Sequence, residues 1–229
     1  MITDSVKIFT PAKINLFLKI LGRRHDGYHI IRSGITFVNL FDQIDIKIGD
    51  KMLIQYSGPF KPSRGNYEDC IILKTLKFLH LDKNHNFNIR VTKNIPVQGG
   101  LGSASTNAAG LIQGLELMKI INKKAPIDYV SLGADIPSFL FKKDCLVTGV
   151  GEMIYSYSFS KYYFLLIRPP FNNSTKNMYD KFGYELGSYD LPFDFEEFKI
   201  DDEDSGNDFE KFVLGENKEI KNIVNFLEN

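Results

Sequence analysis

Ten residues constrain this chain more than any other stretch: Val97-Gln-Gly-Gly-Leu-Gly-Ser-Ala-Ser-Thr106, with three glycines and four small or hydroxylated residues. Before them, Phe87, Ile89 and Val91 alternate with polar residues, the pattern of a half-buried strand reaching Asn94. After them, Ala104, Ala108, Leu111, Leu115 and Met118 recur at helical spacing. The stretch therefore joins a strand to the start of a helix. A helix start leaves backbone N–H groups without partners, and the macrodipole adds partial positive charge there. Glycine lets that backbone approach a ligand closely, so the whole forms a cradle for an anion, most often a phosphate. Ser103, Ser105 and Thr106 add hydroxyl groups. Taken alone, the same stretch is more simply read as a glycine-rich turn with a serine cap and no ligand. It is neither a G-x-x-x-x-G-K-[ST] loop nor a dinucleotide fingerprint, since Gly100-x-Gly102 lacks the third glycine.

The rest of the composition narrows the class. With 229 residues and 43% hydrophobic content, the chain has enough apolar material for one large or two small domains. Its formal net charge is +0 and no basic tract stands out, which argues against nucleic acid as a partner. Cys70 and Cys145 are isolated and form no metal spacing, so they are expected as free thiols in a reducing compartment. The N-terminus lacks the apolar core of a signal peptide, and the longest apolar run, near Tyr162–Ile167, is too short to span a bilayer. A cytoplasmic protein without a membrane partner is the expectation.

Along the chain, Ile14–Leu21 and Ile30–Leu40 read as strands around an Arg24–Gly27 turn. Ile44, Ile46 and Ile48 alternate with charged residues, and Leu53–Tyr56 is a candidate partner strand. Asp69 is placed to cap a helix with Ile72, Leu76 and Leu79 on its inner stripe. Short helices are expected at Ile127–Leu132 and Ser138–Phe141, and strands at Leu146–Val150 and Tyr162–Ile167. Thr175–Phe182 reads as helical, Gly183–Gly206 as a long acidic loop, and Asp208–Leu227 as a final helix. A domain border is expected near residue 155, dividing the chain into 1–155 and 156–229.

Two further stretches carry polar groups of chemical interest. In Pro11-Ala-Lys-Ile-Asn-Leu16, Lys13 and Asn15 share one side of a strand, because the side-chain period is two. In Gly133-Ala-Asp-Ile-Pro137, Asp135 precedes a helix start marked by proline. Each has an ordinary reading by itself: a solvent-facing lysine on an edge strand, and a helix N-cap.

Together, in this order and at this separation, the three stretches resemble those of the GHMP small-molecule kinases. The likeness covers most of residues 8–182 and is closest to the branch acting on 4-diphosphocytidyl-2-C-methyl-D-erythritol in the non-mevalonate route to isoprenoids. Pro11–Leu16 is similar to its first motif, Gly27-Tyr-His29 to its cytosine-binding turn, Pro96–Ala109 to its ATP loop, and Gly133–Pro137 to the stretch with the catalytic aspartate. Gly149-Val-Gly-Glu152 and Asn207-Asp208 match smaller landmarks.

The resemblance implies an α+β, two-domain GHMP kinase fold. Its N-terminal domain would be like ribosomal protein S5 domain 2, and its C-terminal domain ferredoxin-like and truncated. It implies transfer of a phosphoryl group from ATP, with Mg²⁺, to a substrate hydroxyl, by a monomer or weak homodimer. Asp135 would accept or orient the hydroxyl proton, and Lys13 would stabilise developing negative charge. Pro96, Gly99, Gly100, Leu101, Gly102, Ser103, Ala104, Ser105 and Thr106 would hold ATP. Asn15, Tyr28, His29, the Val150 backbone, Thr175 and Tyr179 would bind the substrate; no metal-ligating residue is assigned.

Three departures accompany the likeness. Gln98, Ser103 and Ala104 stand at glycine-like positions of the loop. Cys70 stands where the family commonly has an asparagine near the adenine. The family's third glycine-rich motif has no counterpart between Gly183 and Asn229. Two alternatives stay open: a family kinase for another small alcohol such as mevalonate or homoserine, and a nucleotide- or cytidine-binding homologue impaired in catalysis.

Overall fold

The strand expected at Ile14–Leu21 extends at both ends, to Ser5–Arg23 (β1). The two extended stretches after the turn are one continuous strand, His29–Ile48 (β2), which pairs with β1. The Arg24–Gly27 turn between them is closed by the Gly27 N–H donating to the Arg24 carbonyl at 2.9 Å and the Arg24 N–H donating to the Tyr28 carbonyl at 2.7 Å. The computed structural model describes residues 3–62, 70–122, 127–169 and 206–228. The chain divides into two compact units, one of residues 1–13 and 37–143, the other of residues 14–36 and 144–229. Both long strands contribute residues to each.

In the first unit, the C-terminal half of β2 pairs antiparallel with Phe87–Thr92 (β4), Ile44 opposite Val91 and Ile46 opposite Ile89. The alternation read from sequence is thus met across the ladder, with apolar residues on one face and Asp45 opposite Arg90 on the other. Leu53–Ser57 (β3) does not pair with β2 as expected; it runs parallel to β4, Leu53 opposite Asn88 and Ser57 opposite Thr92. Instead β3 adds at the far edge of β4, and the chain returns through Ile71–Phe78 (α1), the crossover that a parallel pair requires.

Helix α1 and Ser103–Leu117 (α2) cover the apolar face. Ile72 and Leu76 from α1, and Leu111 and Leu115 from α2, are fully buried against Ile44, Ile46, Phe87, Ile89 and Val91. Gly110 and Gly114 let α2 lie close to the sheet: a Cβ there would run into Thr10 and Ile46 respectively. The N-cap of α1 is Cys70, whose Sγ accepts from the Leu73 N–H at 3.4 Å. It takes the place expected for Asp69, which lies outside the described residues. Between α2 and Ile136–Phe141 (α3), the helix expected at Ile127–Leu132 is a single 3-10 turn, Tyr129–Ser131.

In the second unit, the N-terminal half of β2 pairs antiparallel with Cys145–Gly149 (β5), Ile35 opposite Cys145 and Ile31 opposite Gly149. A short strand not read from sequence, Met153–Ser156 (β6), returns along β5. Asp208 fastens the chain to β1: its Oδ2 accepts from the Ile20 N–H at 2.8 Å and its Oδ1 pairs with Lys19 at 3.4 Å. The final helix is two, Glu210–Glu216 and Lys218–Glu228. Asn217 interrupts it, with extended backbone and its own N–H and side-chain amide both donating to the Val213 carbonyl.

The strand expected at Tyr162–Ile167 is not formed. No strand among the described residues offers it a ladder, and Tyr163 and Leu165 stand exposed. The helix expected at Thr175–Phe182, and the loop expected at Gly183–Gly206 except for Gly206 itself, lie outside those described. No described helix is long and apolar enough to cross a membrane.

Candidate active site

The glycine loop delivers an uncapped helix mouth. The N-cap of α2 is Gly102, in the left-handed region with φ 70°, and no side chain caps the helix. The first i→i−4 bond runs from the Thr106 N–H to the Gly102 carbonyl at 2.8 Å, so the N–H groups of residues 103–105 precede the ladder. A serine cap would have closed this mouth. Ser103 is instead turned inward, its hydroxyl accepting from Lys93 at 2.6 Å and donating to the Ile95 carbonyl at 3.2 Å. The Thr106 hydroxyl is likewise spent, donating to the Pro11 carbonyl at 2.8 Å. Gly99, Gly100 and Ala104 face solvent, Pro96 lies beneath Gly99, and Leu101 is half-buried. Gln98 adopts φ 56° without being glycine, and Gly100 has φ 71°.

Glycine at 102 is demanded twice. Its φ suits glycine, and a Cβ there would sit 2.5 Å from the Phe139 ring and 3.1 Å from Lys13 Cγ. The same contacts show what surrounds the mouth. Lys13 reaches it from β1, tied down by its own N–H donating to the Leu101 carbonyl at 3.2 Å. Its side chain is buried, only 6% of the residue being exposed, contrary to the solvent-facing edge lysine that its stretch alone suggests.

Asp135 completes the group. It stands at the N-cap of α3, yet its side chain makes no capping bond. Its carboxylate lies 3.7 Å from the Lys13 ammonium and is partly open to solvent. The backbone carbonyl of Asp135, by contrast, is engaged, accepting from the Ser138 hydroxyl at 2.8 Å. Gly133, two residues earlier, packs so near the first turn of α2 that a Cβ on it would meet Ser105 Oγ at 3.4 Å. One ammonium, one carboxylate and the mouth of a 15-residue helix therefore occupy one neighbourhood of the first unit. Such a group can hold a polyphosphate, take or orient a proton, and balance developing charge. A separate cavity of about 320 Å³ in this unit, lined by Phe9, Phe37, Phe41, Gln113, Phe139 and Lys142 among others, contains no carboxylate.

The remaining candidates belong to the second unit. The Asn15 side-chain amide donates to Ser33 Oγ at 2.7 Å, and Ser33 in turn donates to the Phe17 carbonyl at 2.7 Å. Tyr28 is 46% exposed at the turn, its N–H donating to Asp26 at 3.3 Å, and His29 is half-buried. The Val150 N–H donates to the Glu152 carboxylate at 2.6 Å. Thr175 and Tyr179 lie outside the described residues.

The family model for the GHMP kinases N terminal domain matches residues 70–142, which hold the glycine loop and Asp135. A 4-diphosphocytidyl-2-C-methyl-D-erythritol kinase from Francisella philomiragia is 31% identical over 218 residues, covering 92% of this chain and 77% of the relative. The chain belongs to the GHMP kinase family. A GHMP kinase of the same description from Fervidobacterium nodosum is 39% identical over 180 residues, but the chain spans only 63% of its length. A crystal structure of 4-(cytidine 5'-diphospho)-2C-methyl-D-erythritol kinase superposes with TM-score 0.57 and 25% identity, covering 82% of this chain and 68% of the other. The mixed α+β architecture is thus that of a GHMP kinase.

Three buried polar residues next to this candidate site escaped the sequence reading. Lys93, Asp42 and Asn107 form a buried polar group behind the loop, in which the Lys93 ammonium meets the Asp42 carboxylate and donates to Asn107 Oδ1 at 2.7 Å. The signal was present. Lys93 continues the buried alternation of Phe87, Ile89 and Val91, and Asp42 that of Ile44 and Ile46.

Proposed function

We propose that the protein transfers the γ-phosphoryl group of ATP to a hydroxyl of 4-diphosphocytidyl-2-C-methyl-D-erythritol, in the cytoplasmic non-mevalonate route to isoprenoid precursors. The observation that carries this reading is the Asp135 carboxylate. It stands at a helix start without capping it and faces a buried lysine beside an open helix mouth. A carboxylate with only a structural task would be spent on its helix. The names of the relatives supply the acceptor.

Phosphoryl transfer depends chiefly on positioning and on stabilising charge. The N–H groups at the head of α2, with Gly99, Gly100 and Gly102, hold the nucleotide phosphates. Asp135 orients the attacking hydroxyl and takes its proton. Lys13 stabilises the charge growing on the alkoxide and on the transferring group. Asn15, His29 and the Val150 backbone bind the acceptor and Tyr28 stacks on its cytosine; the family resemblance adds Tyr179 and Thr175 to the acceptor's contacts. Among the described residues no three His, Cys, Asp or Glu side chains gather to hold a metal. Magnesium would come with the nucleotide and would supply neutralisation of phosphate charge.

The test is ADP release with Mg-ATP and each of three acceptors: 4-diphosphocytidyl-2-C-methyl-D-erythritol, mevalonate and homoserine. Turnover with the first alone is expected. Preference for another acceptor moves the protein elsewhere in the family, and nucleotide binding without any ADP release leaves it a binding protein.

A further inference from the structure

The charges buried behind the loop have no task in the reaction just described. An ammonium has three protons to donate. Lys93 directs them at Asp42, at Ser103 Oγ (2.6 Å) and at Asn107 Oδ1 (2.7 Å), with the Ser103 carbonyl at 3.2 Å sharing one. Only 3% of Lys93 is exposed, and Asp42 is fully buried. The other oxygen of Asp42 accepts from the N–H groups of Asn94 (2.6 Å) and Ile95 (2.8 Å). Asn107 also donates to Asp42, at 2.9 Å. Asn94 and Ile95 come just before the exposed residues 97–100 of the loop, and Ser103 and Asn107 lie in the opening turns of α2 after them. The Ser103 hydroxyl then joins the two sides directly through the Ile95 carbonyl.

The loop between has little else to hold it. Residues 97–100 face solvent, and Gly100 has nothing within 4 Å of where a Cβ would be. Gln98, Gly100 and Gly102 all take positive φ, which suits the two glycines but is uncommon for Gln98 unless its surroundings hold it there. Burial pushes the Lys93 pKa down, against the pull of Asp42, so the charge is kept at a cost. Well-packed apolar side chains stabilise a fold at least as well as such a pair. What apolar side chains cannot do is accept and donate along fixed directions to both ends of one loop.

We propose that Lys93, through its buried pair with Asp42, is a positioning residue for nucleotide binding: it clamps the two ends of the glycine loop so that the mouth of α2 is set for phosphates before any nucleotide arrives. The inference rests on the kinase reading only in taking the loop as the phosphate site. Preorganised donors bind more tightly because their ordering is completed in advance. The clamp reaches the loop through the Ser103 hydroxyl, so that group can be removed while Lys93, Asp42 and Asn107 remain.

The experiment uses Ser103→Ala and Ser103→Cys in the full chain. Cysteine keeps the side-chain shape and weakens the acceptor, which covers the case of an alanine variant that does not fold. Two readouts are taken at 15 °C: amide hydrogen exchange of residues 96–102 without ligand, and Mg-ADP affinity by calorimetry. Loss of one hydrogen bond from a charged donor is expected to speed exchange in 96–102 about tenfold and weaken Mg-ADP about tenfold, less for cysteine. Exchange in β2 and β4, and the KM for the acceptor alcohol, stay as in the parent. Unchanged loop exchange overturns the clamp, and faster exchange with unchanged Mg-ADP affinity overturns its role in binding. A parent protein that binds no Mg-ADP sinks the kinase reading instead, while the exchange measurement still decides whether the clamp exists.

Discussion

The ammonium of Lys13 stands 3.7 Å from the carboxylate of Asp135, and that carboxylate makes no bond to the helix it precedes. The two facts together separate catalysis from stability at this position. Asp135→Asn keeps the shape of the side chain and removes only its charge and basicity. On the proposed function, turnover falls by about 10²–10⁴, the range for losing a positioned proton acceptor. The same substitution is expected to cost only about 1 kcal/mol of unfolding free energy: Asp135 is partly exposed and caps nothing, so what is lost is its pairing with the buried Lys13 ammonium. ADP release and urea titration on one preparation check both. A variant that unfolds, or that keeps its rate, contradicts the assignment.

Gly102 and Gly100 share a left-handed backbone but not their surroundings. A Cβ at Gly100 meets nothing within 4 Å, whereas at Gly102 it meets the Phe139 ring at 2.5 Å. Gly100→Ala is therefore expected to cost only the left-handed strain, about 1–2 kcal/mol. Gly102→Ala adds a collision of the overpacking kind, about 1–3 kcal/mol more. It also displaces Lys13 or Phe139 at the helix mouth, so nucleotide affinity falls further than for Gly100→Ala. Chemical denaturation and Mg-ADP titration of the pair give the order.

Much of this site could be read from the residues alone, for identifiable reasons. Glycines before an apolar helical stripe locate a helix mouth wherever the fold places it, and the stripe from Ala104 to Leu115 lies within α2, with Met118 at its C-cap. The Lys13–Asp135 pair was reached through the family's order of motifs, since neither stretch shows by itself that its charge is unspent. What was not legible is where each hydroxyl points. Ser103 and Thr106 read as donors for a ligand, yet both turn to the protein's own carbonyls. A helix surface offers inward and outward positions one residue apart, and periodicity alone does not say which hydroxyl finds an acceptor. The partner of β3 was missed because strand pairing over a long crossover leaves no local trace. Tyr162–Ile167 shows the converse: apolar residues that no strand among the described residues joins do not make a strand.

The buried pair behind the loop predicts an asymmetry between single and double substitutions. Lys93→Met removes the cation and leaves the Asp42 carboxylate buried and uncompensated, which costs about 3–5 kcal/mol. Asp42→Asn added to Lys93→Met removes that charge while its side-chain oxygen still accepts from Asn94 and Ile95. The double variant is then expected to regain about 1–3 kcal/mol relative to the single one. Urea titrations of parent, single and double variants measure it. Equal stability of the two variants would mean that packing rather than charge governs the site.

Cys145 makes the pH dependence of stability testable at a single atom. Its thiol is fully buried on β5 opposite Ile35, and burial, reinforced by nearby Asp144, pushes its pKa up to about 12. In the unfolded chain the same thiol titrates near 8.5. Above that value the unfolded state releases the proton while the native state retains it, so the native state binds more protons and stability must fall as pH rises. The contribution is fully present below about pH 8 and declines by up to about 1.4 kcal/mol per pH unit above pH 8.5. Lys93 acts in the opposite sense at alkaline pH, because its lowered pKa makes the native state the first to lose that proton. The two are separated by comparing the parent with Cys145→Ala. The alanine variant starts less stable because a buried group is lost, and the gap between the two stability curves should narrow steadily between pH 8.5 and 10. A gap that stays constant over this interval would show that the thiol titrates in the native state as it does in water.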